Sequence, residues 1–591
     1  MPNPAGLPHP QPQRRTRKRT KILAAALALW ALGVGLRLVD LQVFEAARMR
    51  SQVADQNQAV IDIPAERGAI FDRNGDILAQ NVPTLTVYYR PPRAETFEAR
   101  WRTVLDLQPV LDLGPADLDR IRSAVREGKP VVTLKRRLDV GRESALRGLG
   151  LKNVFATRES SRVYPQGPLA PQVLGGVSAA NDGQAGVEYK FDTLLSGTKG
   201  SQLALVDARR REYHFETLSE PRKGGDIVLT IDKTIQYFAQ KELEAAARDH
   251  GSSWGTVIVS RPLTGEILAL ASWPAYDPNL YSASPDAAKP NRAIHHLLDP
   301  GSTFKIVTAA AALESRGAAL TDVFDCRAGA IATAGTPIRD HKNFGILSFP
   351  GVFIHSSNVG AIMVGRRLGT ASMYRAIKAF GFGERTGVEL PAESAGIVHP
   401  PNAWTRRSID SISIGYEISV TPLQVLQAAN IVANRGARIP LRIVKSLPDG
   451  ETVRFRSPGP EAAVVSAATA DQLASILERV VTEGTGQAAA ISGYDVAGKT
   501  GTTQLLDPLT RTFSSEKHIA TFVGFVPARE PVVSVIVVLD APRSDEYYGG
   551  QVAAPVFKEV AVRTLRYLGV FPRPSPSRTI IAANVLGGGG R

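Results

Sequence analysis

The stretch that most constrains the fold of this chain is Leu298–Glu314, which reads LDPGSTFKIVTAAAALE. Asp299 is a favourable N-cap residue, and Pro300 suits the first position of a helix. The residues that follow are apolar on almost every side, which is typical of a helix buried inside a domain. The first turn nevertheless carries Ser302 and Lys305, whose spacing of three places them on one face. The stretch therefore predicts a buried helix that opens with a serine beside a lysine.

A serine beside a lysine has the parts for covalent catalysis. A serine hydroxyl becomes a nucleophile when a base removes its proton, and a lysine is such a base when burial or a neighbouring cation keeps it neutral. Taken alone, the pair is better explained as an ordinary helix start with an incidental surface lysine. Two later motifs reverse this interpretation, the Ser-x-Asn of Ser356-Ser357-Asn358 and the Lys-Thr-Gly that begins Lys499-Thr500-Gly501-Thr502. All three motifs in this order are typical of active-site serine enzymes.

The N-terminal segment has the pattern of a membrane anchor. Six basic residues lie between Arg14 and Lys21, a cluster that fits either a nucleic-acid patch or the cytoplasmic flank of a membrane span. The apolar run Ile22–Leu36 follows, and further apolar residues extend it to Phe44, which favours the span. A cleaved signal peptide and a surface amphipathic helix are the alternatives, but no A-x-A cleavage pattern follows the run. The charge ahead of the run predicts a cytoplasmic N-terminus, with the rest of the chain outside the cytoplasmic membrane.

The segment from residue 45 to residue 222 predicts a non-catalytic domain of short strands and helices. Asn74-Gly75 between two apolar runs is a hairpin signal. The same stretch mimics the beginning of a calcium loop, but Ile77 and Pro83 stand where that loop requires glycine and glutamate. Arg162–Pro165 and Gly183–Glu188 are local landmarks without evident chemistry. We therefore assign no catalytic or metal-binding role to this segment.

The segment from residue 223 to residue 570 predicts an α+β domain, because helical patterns accompany a largely antiparallel set of strands. It begins at Lys223-Gly224-Gly225, which resembles a hinge. The predicted strands are Asp226–Asp232, Gly255–Ser260, Thr264–Trp273, Val496–Gln504, Ile519–Phe525 and Val532–Asp540, and the predicted helices include Lys233–Ala247 and Val552–Leu568. The whole chain then divides into a basic tail (1–21), a single transmembrane helix (22–44), the non-catalytic domain (45–222), the catalytic domain (223–570) and a disordered tail (571–591).

A competing motif overlaps the last of the three catalytic motifs. Gly493–Thr500 reads GYDVAGKT and fits the phosphate-loop pattern G-x-x-x-x-G-K-T, and Val535–Asp540 resembles the acidic second strand of a nucleotide site. A phosphate loop must run into a helix whose N-terminus holds the phosphates. Gly501–Gln504, with Pro508 close behind, is a poor helix start. The predicted location outside the cytoplasm, where ATP is scarce, also disfavours a P-loop enzyme.

Composition and spacing disfavour two further kinds of site. Cys326 is the single cysteine of the chain, which excludes an intramolecular disulfide and a cysteine-rich metal site. His295, His296 and His355 lie near the proposed catalytic residues, but no metal-ligand spacing accompanies them. They are better explained as ordinary packing or surface histidines.

Beyond these motifs, the chain resembles the class B penicillin-binding proteins, the membrane-anchored D,D-transpeptidases of bacterial wall synthesis, from the anchor to about Leu568. The stretches ERGAIFDRNG and GQAGVE resemble the family's N-terminal pedestal, or dimerisation, domain. Thr230–Gln236 (TIDKTIQ) and Thr264–Asn279 (TGEILALASWPAYDPN) resemble the start of its transpeptidase domain, which has a serine β-lactamase-like fold. Gly415–Gln424 and Tyr547–Phe557 are most similar to the division-type members, although an elongation-type transpeptidase is the alternative.

The resemblance implies a substrate and a set of roles. The substrate is a peptidoglycan stem peptide that ends in D-Ala-D-Ala. Ser302 would attack the penultimate D-Ala carbonyl, the terminal D-Ala would leave, and an amine of a neighbouring stem peptide would take the acyl group. Lys305, kept neutral by its surroundings and by Lys499, would take the serine proton. Ser356 would relay a proton to the leaving amine, and Asn358 would hold the peptide amide and orient the lysine.

The remaining implied roles concern the third motif. Lys499, Thr500 and Thr502 would hold the terminal carboxylate of the substrate. The backbone N–H groups of Ser302 and Thr502 would form an oxyanion hole, and Gly501 would leave room for the substrate against the strand. The family requires no cofactor or metal. The implied partners are stem peptides, β-lactams, the membrane, a membrane glycan polymerase and other division proteins, and nucleic acid is not among them.

The chain departs from the family pattern at three places. Relatives often have glutamate, alanine and Ala-His where this chain has Asp299, Thr503 and Pro171-Gln172. None of the three departures touches the catalytic motifs.

Two other classes of protein use similar motifs. A β-lactamase uses the same three motifs, but no E-x-x-L-N pattern follows Asn358 for rapid deacylation. A β-lactam sensor would carry several membrane spans. A third reading is that the protein acts mainly as a scaffold of the wall-synthesis complex.

Overall fold

The computed structural model describes residues 13–46, 48, 58–151, 153–206, 212–448, 463–506, 513–540 and 546–573. The tails predicted to be disordered lie outside the described residues except for residue 13 and residues 571–573. The helices are α1 (Gln13–Val39), α2 (Phe97–Leu111), α3 (Pro115–Arg126), α4 (Glu143–Gly148), α5 (Pro171–Leu174), α6 (Gly186–Lys190), α7 (Asp192–Leu195), α8 (Lys233–Asp249), α9 (Arg292–His295), α10 (Lys305–Glu314), α11 (Phe349–Ile354), α12 (Asn358–Leu368), α13 (Thr370–Ala379), α14 (Ser408–Ser413), α15 (Pro422–Ala433), α16 (Ala467–Thr482) and α17 (Gly549–Tyr567).

The strands form one five-stranded sheet, one six-stranded sheet and several smaller sheets. They are β1 (Gln58–Ile63), β2 (Ile70–Phe71), β3 (Ile77–Tyr89), β4 (Val132–Asp139), β5 (Val154–Val163), β6 (Gly176–Val177), β7 (Gly183–Ala185), β8 (Gly200–Val206), β9 (Glu212–Ser219), β10 (Ile227–Leu229), β11 (Gly255–Ser260), β12 (Ile267–Trp273), β13 (Val323–Asp325), β14 (Ala330–Ile331), β15 (Ile338–Arg339), β16 (Ile346–Ser348), β17 (Val444–Ser446), β18 (Ala497–Leu506), β19 (Phe513–Val526) and β20 (Val533–Asp540).

The chain forms two compact units, one of Met1–Ala65 with Thr198–Arg222 and one of Glu66–Gly197 with Lys223–Arg591. The domain limits predicted from the sequence stay a prediction. In the first unit, β1, β8 and β9 form an antiparallel sheet in that order. Its helix α1 continues as a short π-helix, and Arg17–Phe44 is long and apolar enough to cross a membrane. This length agrees with a single N-terminal anchor.

The five-stranded sheet is the core of the second unit. Its order is β12-β11-β20-β19-β18, and every neighbouring pair is antiparallel. Side chains alternate between its faces: Val535 and Val537 pack with α8 and α17, whereas Ile536 and Val538 pack with α10, α12, α15 and α16. Helices therefore cover both faces of the antiparallel sheet, and the predicted α+β fold is confirmed.

The six-stranded sheet combines strands from either side of residue 223. Its order is β17-β10-β2-β3-β4, and β5 pairs with β3. The predicted hairpin at Asn74-Gly75 is confirmed, because β2 and β3 pair in antiparallel fashion on either side of it. Within the turn, Asp72 accepts the backbone N–H groups of Asn74 and Asp76 at 2.7 and 2.9 Å. Gly224, predicted as part of a hinge, instead permits close packing within this unit, since a Cβ there would lie 1.8 Å from the carbonyl oxygen of Leu195.

A buried ion cluster explains the two landmarks that had no evident chemistry in the sequence. The Glu188 carboxylate accepts the Nε–H of Arg67 at 2.7 Å and the Nε–H of Arg162 at 2.6 Å. Tyr164 donates its hydroxyl to the same carboxylate at 3.2 Å, and Arg67 also pairs with Asp192. Glu188 and both arginines are at most 1% exposed. Such a cluster is stable only while its charges are paired, because desolvating a single charge costs several kcal/mol.

Replacement of the central carboxylate should destabilise this unit. Glu188→Gln leaves Arg162 buried without a counter-charge and Arg67 paired with Asp192 alone, and we expect the free energy of unfolding to fall by about 3–5 kcal/mol. Glu143→Gln is the matched control, because Glu143 also pairs with two arginines, Arg147 and Arg158, which are 78% and 73% exposed. That change should cost far less, because an ion pair with solvent-exposed arginines contributes little to stability. Urea unfolding of the detergent-solubilised chain measures both, and equal losses would contradict the assignment.

Candidate active site

The serine of the first motif lies in a tighter turn than the sequence predicted. Gly301–Phe304 is a 3₁₀-helix, and α10 begins only at Lys305. Since a 3₁₀-helix has about three residues per turn, Ser302 and Lys305 align along one side. The prediction that Asp299 caps the helix is wrong. Its carboxyl contacts Ser419, and burial raises its pKa to about 6.

The ammonium group of Lys305 lies beneath the serine segment and is hydrogen-bonded to the second motif. It donates to the backbone oxygen of Ser356 and to Asn358 Oδ1, both at 2.8 Å, and lies 3.4 Å from Ser356 Oγ. The side chain is 1% exposed. The family resemblance implied that Asn358 orients Lys305, and the structure brings the two motifs into contact.

The second motif is a turn that opens α12. Ser356 has a φ of +58°, a left-handed conformation that few residues other than glycine adopt. The Ser357 hydroxyl caps the helix by accepting the N–H of Gly360 at 2.9 Å. Asn358 is the first helical residue, and its Nδ2 donates to the backbone oxygen of Arg339 at 3.0 Å. Because the amide nitrogen is engaged there, the oxygen of the same amide faces Lys305.

The third motif lies within β18, at the edge of the five-stranded sheet. Lys499 is 1% exposed, and its Nζ lies 3.0 Å from Ser356 Oγ and 3.1 Å from the backbone oxygen of Thr500. The Thr500 hydroxyl contacts that of Thr485 at 2.7 Å. Because the overlapping phosphate-loop pattern continues as a strand to Leu506 rather than entering a helix, the segment lacks the helix N-terminus that a P-loop uses.

Burial sets the protonation of both lysines. It lowers the pKa of Lys305 from 10.5 to about 7, although the negative charge of Asp340 partly opposes this. Burial also lowers the pKa of Lys499 well below its ordinary value, and repulsion from Lys305 lowers it further. The sequence interpretation named both the surroundings of Lys305 and Lys499 as causes of its neutrality, and the structure gives burial as the cause. A lysine with a pKa near neutrality is a competent general base.

One cleft of about 550 Å³ gathers the exposed members of the three motifs. Lys305 and Lys499 lie beneath this surface. Their nitrogens lie 3.4 and 3.0 Å from the hydroxyl of Ser356, which lines the cleft. A larger groove of about 890 Å³ lies elsewhere and contains none of the motif residues. The cleft is lined by Ser302, His341, Ser356, Asn358, Gly484, Thr485, Gln487, Ala488, Thr500, Thr502, Tyr548, Gly550 and Gln551.

Gly501 permits an approach different from the one that the sequence suggested. A Cβ at this position would lie 2.8 Å from Thr303 Cγ2 and 3.4 Å from the backbone oxygen of Pro300. The missing side chain therefore makes room for the serine segment against β18, not for a substrate in the cleft. The departure at Thr503 supports the same contact, because its hydroxyl donates to the backbone oxygen of Asp299 at 3.0 Å.

Two of the three histidines singled out in the sequence, His296 and His355, pack against aromatic rings. The ring of His296 lies 4.2 Å from that of Trp254, and the ring of His355 stacks on Phe344 at 5.7 Å. Within the described part of the chain, no group of three or more His, Cys, Asp or Glu side chains is arranged to hold a metal ion. These two histidines thus contribute packing around the cleft.

Comparison with known proteins agrees with the three motifs. Residues 255–561 match the penicillin binding protein transpeptidase domain, and residues 62–229 match the penicillin-binding protein dimerisation domain. The chain is 32% identical to the probable peptidoglycan D,D-transpeptidase PenA of Neisseria meningitidis, over 88% of this chain and 87% of that protein. It is also 32% identical to the penicillin-binding protein PbpB of Mycolicibacterium smegmatis, over 92% and 90%.

The chain belongs to the class B penicillin-binding proteins. Among solved structures, penicillin binding protein 3 of Mycobacterium tuberculosis, complexed with aztreonam, matches with a TM-score of 0.67 at 29% identity, over 88% of this chain and 98% of that chain. As a member of the family, this penicillin-binding protein is a serine transpeptidase of peptidoglycan synthesis and a target of β-lactams.

Sequence reasoning missed several residues that line the cleft of this penicillin-binding protein. Thr485 and Gln487 follow α16 and reach the cleft only because that helix packs beside β18. Tyr548 and Gln551 lie in the Tyr547–Phe557 stretch, which was noted only as a mark of division-type members. That stretch was the one available signal for a wall of the site, because two adjacent tyrosines ahead of two glycines are unusual at an ordinary helix start.

The lowered pKa of Lys305 predicts a pH dependence of stability in this penicillin-binding protein. Between pH about 7 and pH about 10 the unfolded chain holds this proton and the folded chain does not. The free energy of unfolding therefore rises with pH across that window. Lys305→Met should reduce the rise by up to about 1.4 kcal/mol per pH unit. Urea unfolding at several pH values measures it, with the exposed Lys342→Met as control, and identical slopes in all three proteins would contradict the low pKa.

Proposed function

We propose that this penicillin-binding protein cross-links peptidoglycan stem peptides through an acyl-enzyme on Ser302. The observation that supports the proposal is the convergence of Ser302, Lys305, Ser356, Asn358 and Lys499 at one cleft from three separate stretches of chain. Each residue type matches a step of acyl transfer. The donor is a stem peptide ending in D-Ala-D-Ala, and the acceptor is an amine of a neighbouring stem peptide.

Acylation begins with neutral Lys305, which takes the proton of the Ser302 hydroxyl as the oxygen attacks the penultimate D-Ala carbonyl. The hydrogen bonds of the lysine to Asn358 Oδ1 and the Ser356 backbone oxygen hold its nitrogen in place. Asn358 also lines the cleft, where its side chain is available to the peptide amide of the donor. Backbone N–H groups of Ser302 and Thr502 stabilise the oxyanion, a contribution of roughly 10²–10³ in rate per donor.

The proton then passes to the leaving amine through Ser356. Its hydroxyl lies 3.4 Å from the Lys305 nitrogen and 3.0 Å from the Lys499 nitrogen, and it lines the cleft. A hydroxyl both donates and accepts hydrogen bonds, so it relays the proton from Lys305 to the nitrogen of the departing D-Ala. In the second half-reaction the same path runs in reverse and removes a proton from the attacking amine.

The third motif binds the terminal carboxylate. Thr500 and Thr502 lie two apart on β18 and therefore on one face of the strand, where both line the cleft. Lys499 lies beneath them, and the negative charge of a bound carboxylate favours its protonated form, while the hydroxyls make the contacts. As an edge strand, β18 also offers main-chain groups to which an extended peptide can add.

The cellular setting is part of the same proposal. We infer a single-pass anchor at residues 22–44, within the apolar helix Arg17–Phe44, with a cytoplasmic N-terminus and the catalytic domain outside the cytoplasmic membrane, because basic residues precede residue 22. The likeness of Gly415–Gln424 and Tyr547–Phe557 to division-type members supports a septal role in a complex with a membrane glycan polymerase. Elongation of the lateral wall is the alternative.

Covalent labelling tests the nucleophile. Membranes that carry the full chain should give a stable fluorescent band after incubation with labelled penicillin and a denaturing gel. Ser302→Ala should abolish the band, because the acyl group has no attachment point, and Lys305→Ala should reduce it at least a hundredfold, the lower end of the usual range for a general base. Ser315→Ala is the control and should label fully, because Ser315 lies just after the C-terminal end of α10.

The same gel distinguishes a transpeptidase from a β-lactamase. A band that disappears within minutes after removal of free penicillin would indicate a β-lactamase instead of a transpeptidase. Labelling that persists in Ser302→Ala would contradict the assignment of the nucleophile. Turnover of a D-Ala-D-Ala donor with an added amine would then measure transfer directly.

Growth distinguishes catalysis from scaffolding. In cells depleted of the native protein, the wild-type chain should restore wall synthesis and Ser302→Ala should not, because the substitution removes chemistry and leaves the fold intact. Membrane levels of both proteins must be equal for the comparison to hold. Full rescue by Ser302→Ala would mean that the scaffold is the main role.

A further inference from the structure

A carboxylate outside the three motifs organises the second one. Asp340 follows β15, and its side chain reaches the N-terminus of α12. One oxygen, Oδ1, accepts the backbone N–H of Asn358 at 2.5 Å and that of Val359 at 3.1 Å. The other, Oδ2, accepts the hydroxyl of Ser357 at 2.7 Å. A single side chain thus holds three consecutive residues at the start of the helix.

The backbone beside Asp340 completes this contact. The backbone oxygen of Arg339 accepts Asn358 Nδ2 at 3.0 Å, and Asp340 itself donates its N–H to the backbone oxygen of Gly329 at 3.0 Å. Ala330 and Ile331 pair with Arg339 and Ile338 in an antiparallel ladder just before this point. The hairpin therefore holds Asn358 by both its backbone and its side-chain amide.

These contacts decide which atom of Asn358 meets the lysine. Because Nδ2 is taken by Arg339 and the backbone by Asp340, Oδ1 is directed at Lys305 Nζ, 2.8 Å away. The same anchoring fixes the turn in which Ser356 holds its left-handed conformation and presents both its oxygens to Lys305. A shift of this turn would displace all three hydrogen-bond acceptors of the lysine together.

We propose that Asp340 is a positioning residue for the transpeptidase reaction. Asp340 holds the Ser356–Asn358 turn and thereby sets the position of Lys305. The proposal rests on the proposed function of Ser302 and Lys305. Asp340 itself need not touch the substrate. It acts through Ser357 and Asn358 on the geometry of the base, and through its negative charge on the proton affinity of that base.

The charges that face Lys305 give the sign of the electrostatic part. Asp340 favours the protonated lysine and raises its pKa, against the larger effect of burial. Lys499 faces it from β18, and the charge of Lys305 lowers the pKa of Lys499, which burial already lowers. His341 faces it from the rim of the cleft, and the pKa of that histidine is itself lowered, chiefly by burial. Removal of the Asp340 charge should therefore lower the pKa of Lys305 below about 7.

The test is the pH profile of acylation by fluorescent penicillin, measured on the detergent-solubilised full chain. For the wild type, the acylation rate should fall below pH about 7, where Lys305 takes up its proton. Asp340→Asn should lower the plateau rate about ten- to a hundredfold, as expected when hydrogen bonds to a charged group are lost. It should also move the acid limb to lower pH. A purely structural role would lower the rate without moving the limb.

Asp325→Asn is the matched control. Asp325 lies on β13, which pairs with β16 and not with β15, and its carboxylate pairs with exposed Arg327 at 2.7 Å. This variant should keep both the plateau rate and the limb. If Asp340→Asn behaves like Asp325→Asn, the inference is overturned.

Asp340→Glu provides a second measurement and decides the matter if Asp340→Asn does not fold. It keeps the charge but displaces the carboxylate, so the limb should stay at the wild-type pH while the rate falls at least tenfold. A wild-type rate for Asp340→Glu would overturn the positioning role. Labelling lost in Ser302→Ala but unchanged in the Asp340 variants contradicts only this inference, whereas labelling retained in Ser302→Ala contradicts the proposed function.

Discussion

The burial of two lysines against one serine hydroxyl is the constraint on which the catalytic half of this protein depends. Lys305 and Lys499 are each 1% exposed, and both reach Ser356 Oγ. Desolvated ammonium groups are costly, and two of them side by side are costlier still. The fold offsets this cost by lowering both pKa values and by offering hydrogen-bond acceptors from Ser356, Asn358 and Thr500. The lysine that results is neutral at a pH where an ordinary lysine is charged.

Much of the surrounding architecture keeps this arrangement dry and in place. The apolar helix α10 packs against the helices α12, α13, α15 and α16, and its residues from Lys305 to Ala312 are buried. Glycines allow three stretches of backbone to approach closely: a Cβ on Gly415 would lie 2.1 Å from the oxygen of Gly301, and one on Gly501 would meet Thr303. The Arg67–Glu188–Arg162 cluster is buried as well, and its charges are tolerated there only because they are paired.

How far the sequence predicted this site can be judged from individual residues. The three motifs were recognised because each has a spacing with a chemical meaning, and the structure brings Ser302, Lys305, Ser356, Asn358 and Lys499 to one cleft. The helix start was wrong, because the pattern of Asp299 and Pro300 is a statistical cap signal and burial turned that carboxyl elsewhere. Asp340 and Thr485 were missed, because neither carries a local pattern; their importance arises from which strand or helix lies beside them.

The sequence by itself determined the class of chemistry, the anchor and the α+β pattern of the catalytic domain, because motif spacing, charge and hydrophobic periodicity are properties of neighbouring residues along the chain. The tertiary structure alone decided that burial, and not Lys499, lowers the pKa of Lys305, that Gly501 serves packing and not substrate access, and that Asp340 holds the Ser356–Asn358 turn. Each of these depends on distances between residues far apart in the chain. Desolvation and hydrogen bonding act across such distances only after the chain has folded.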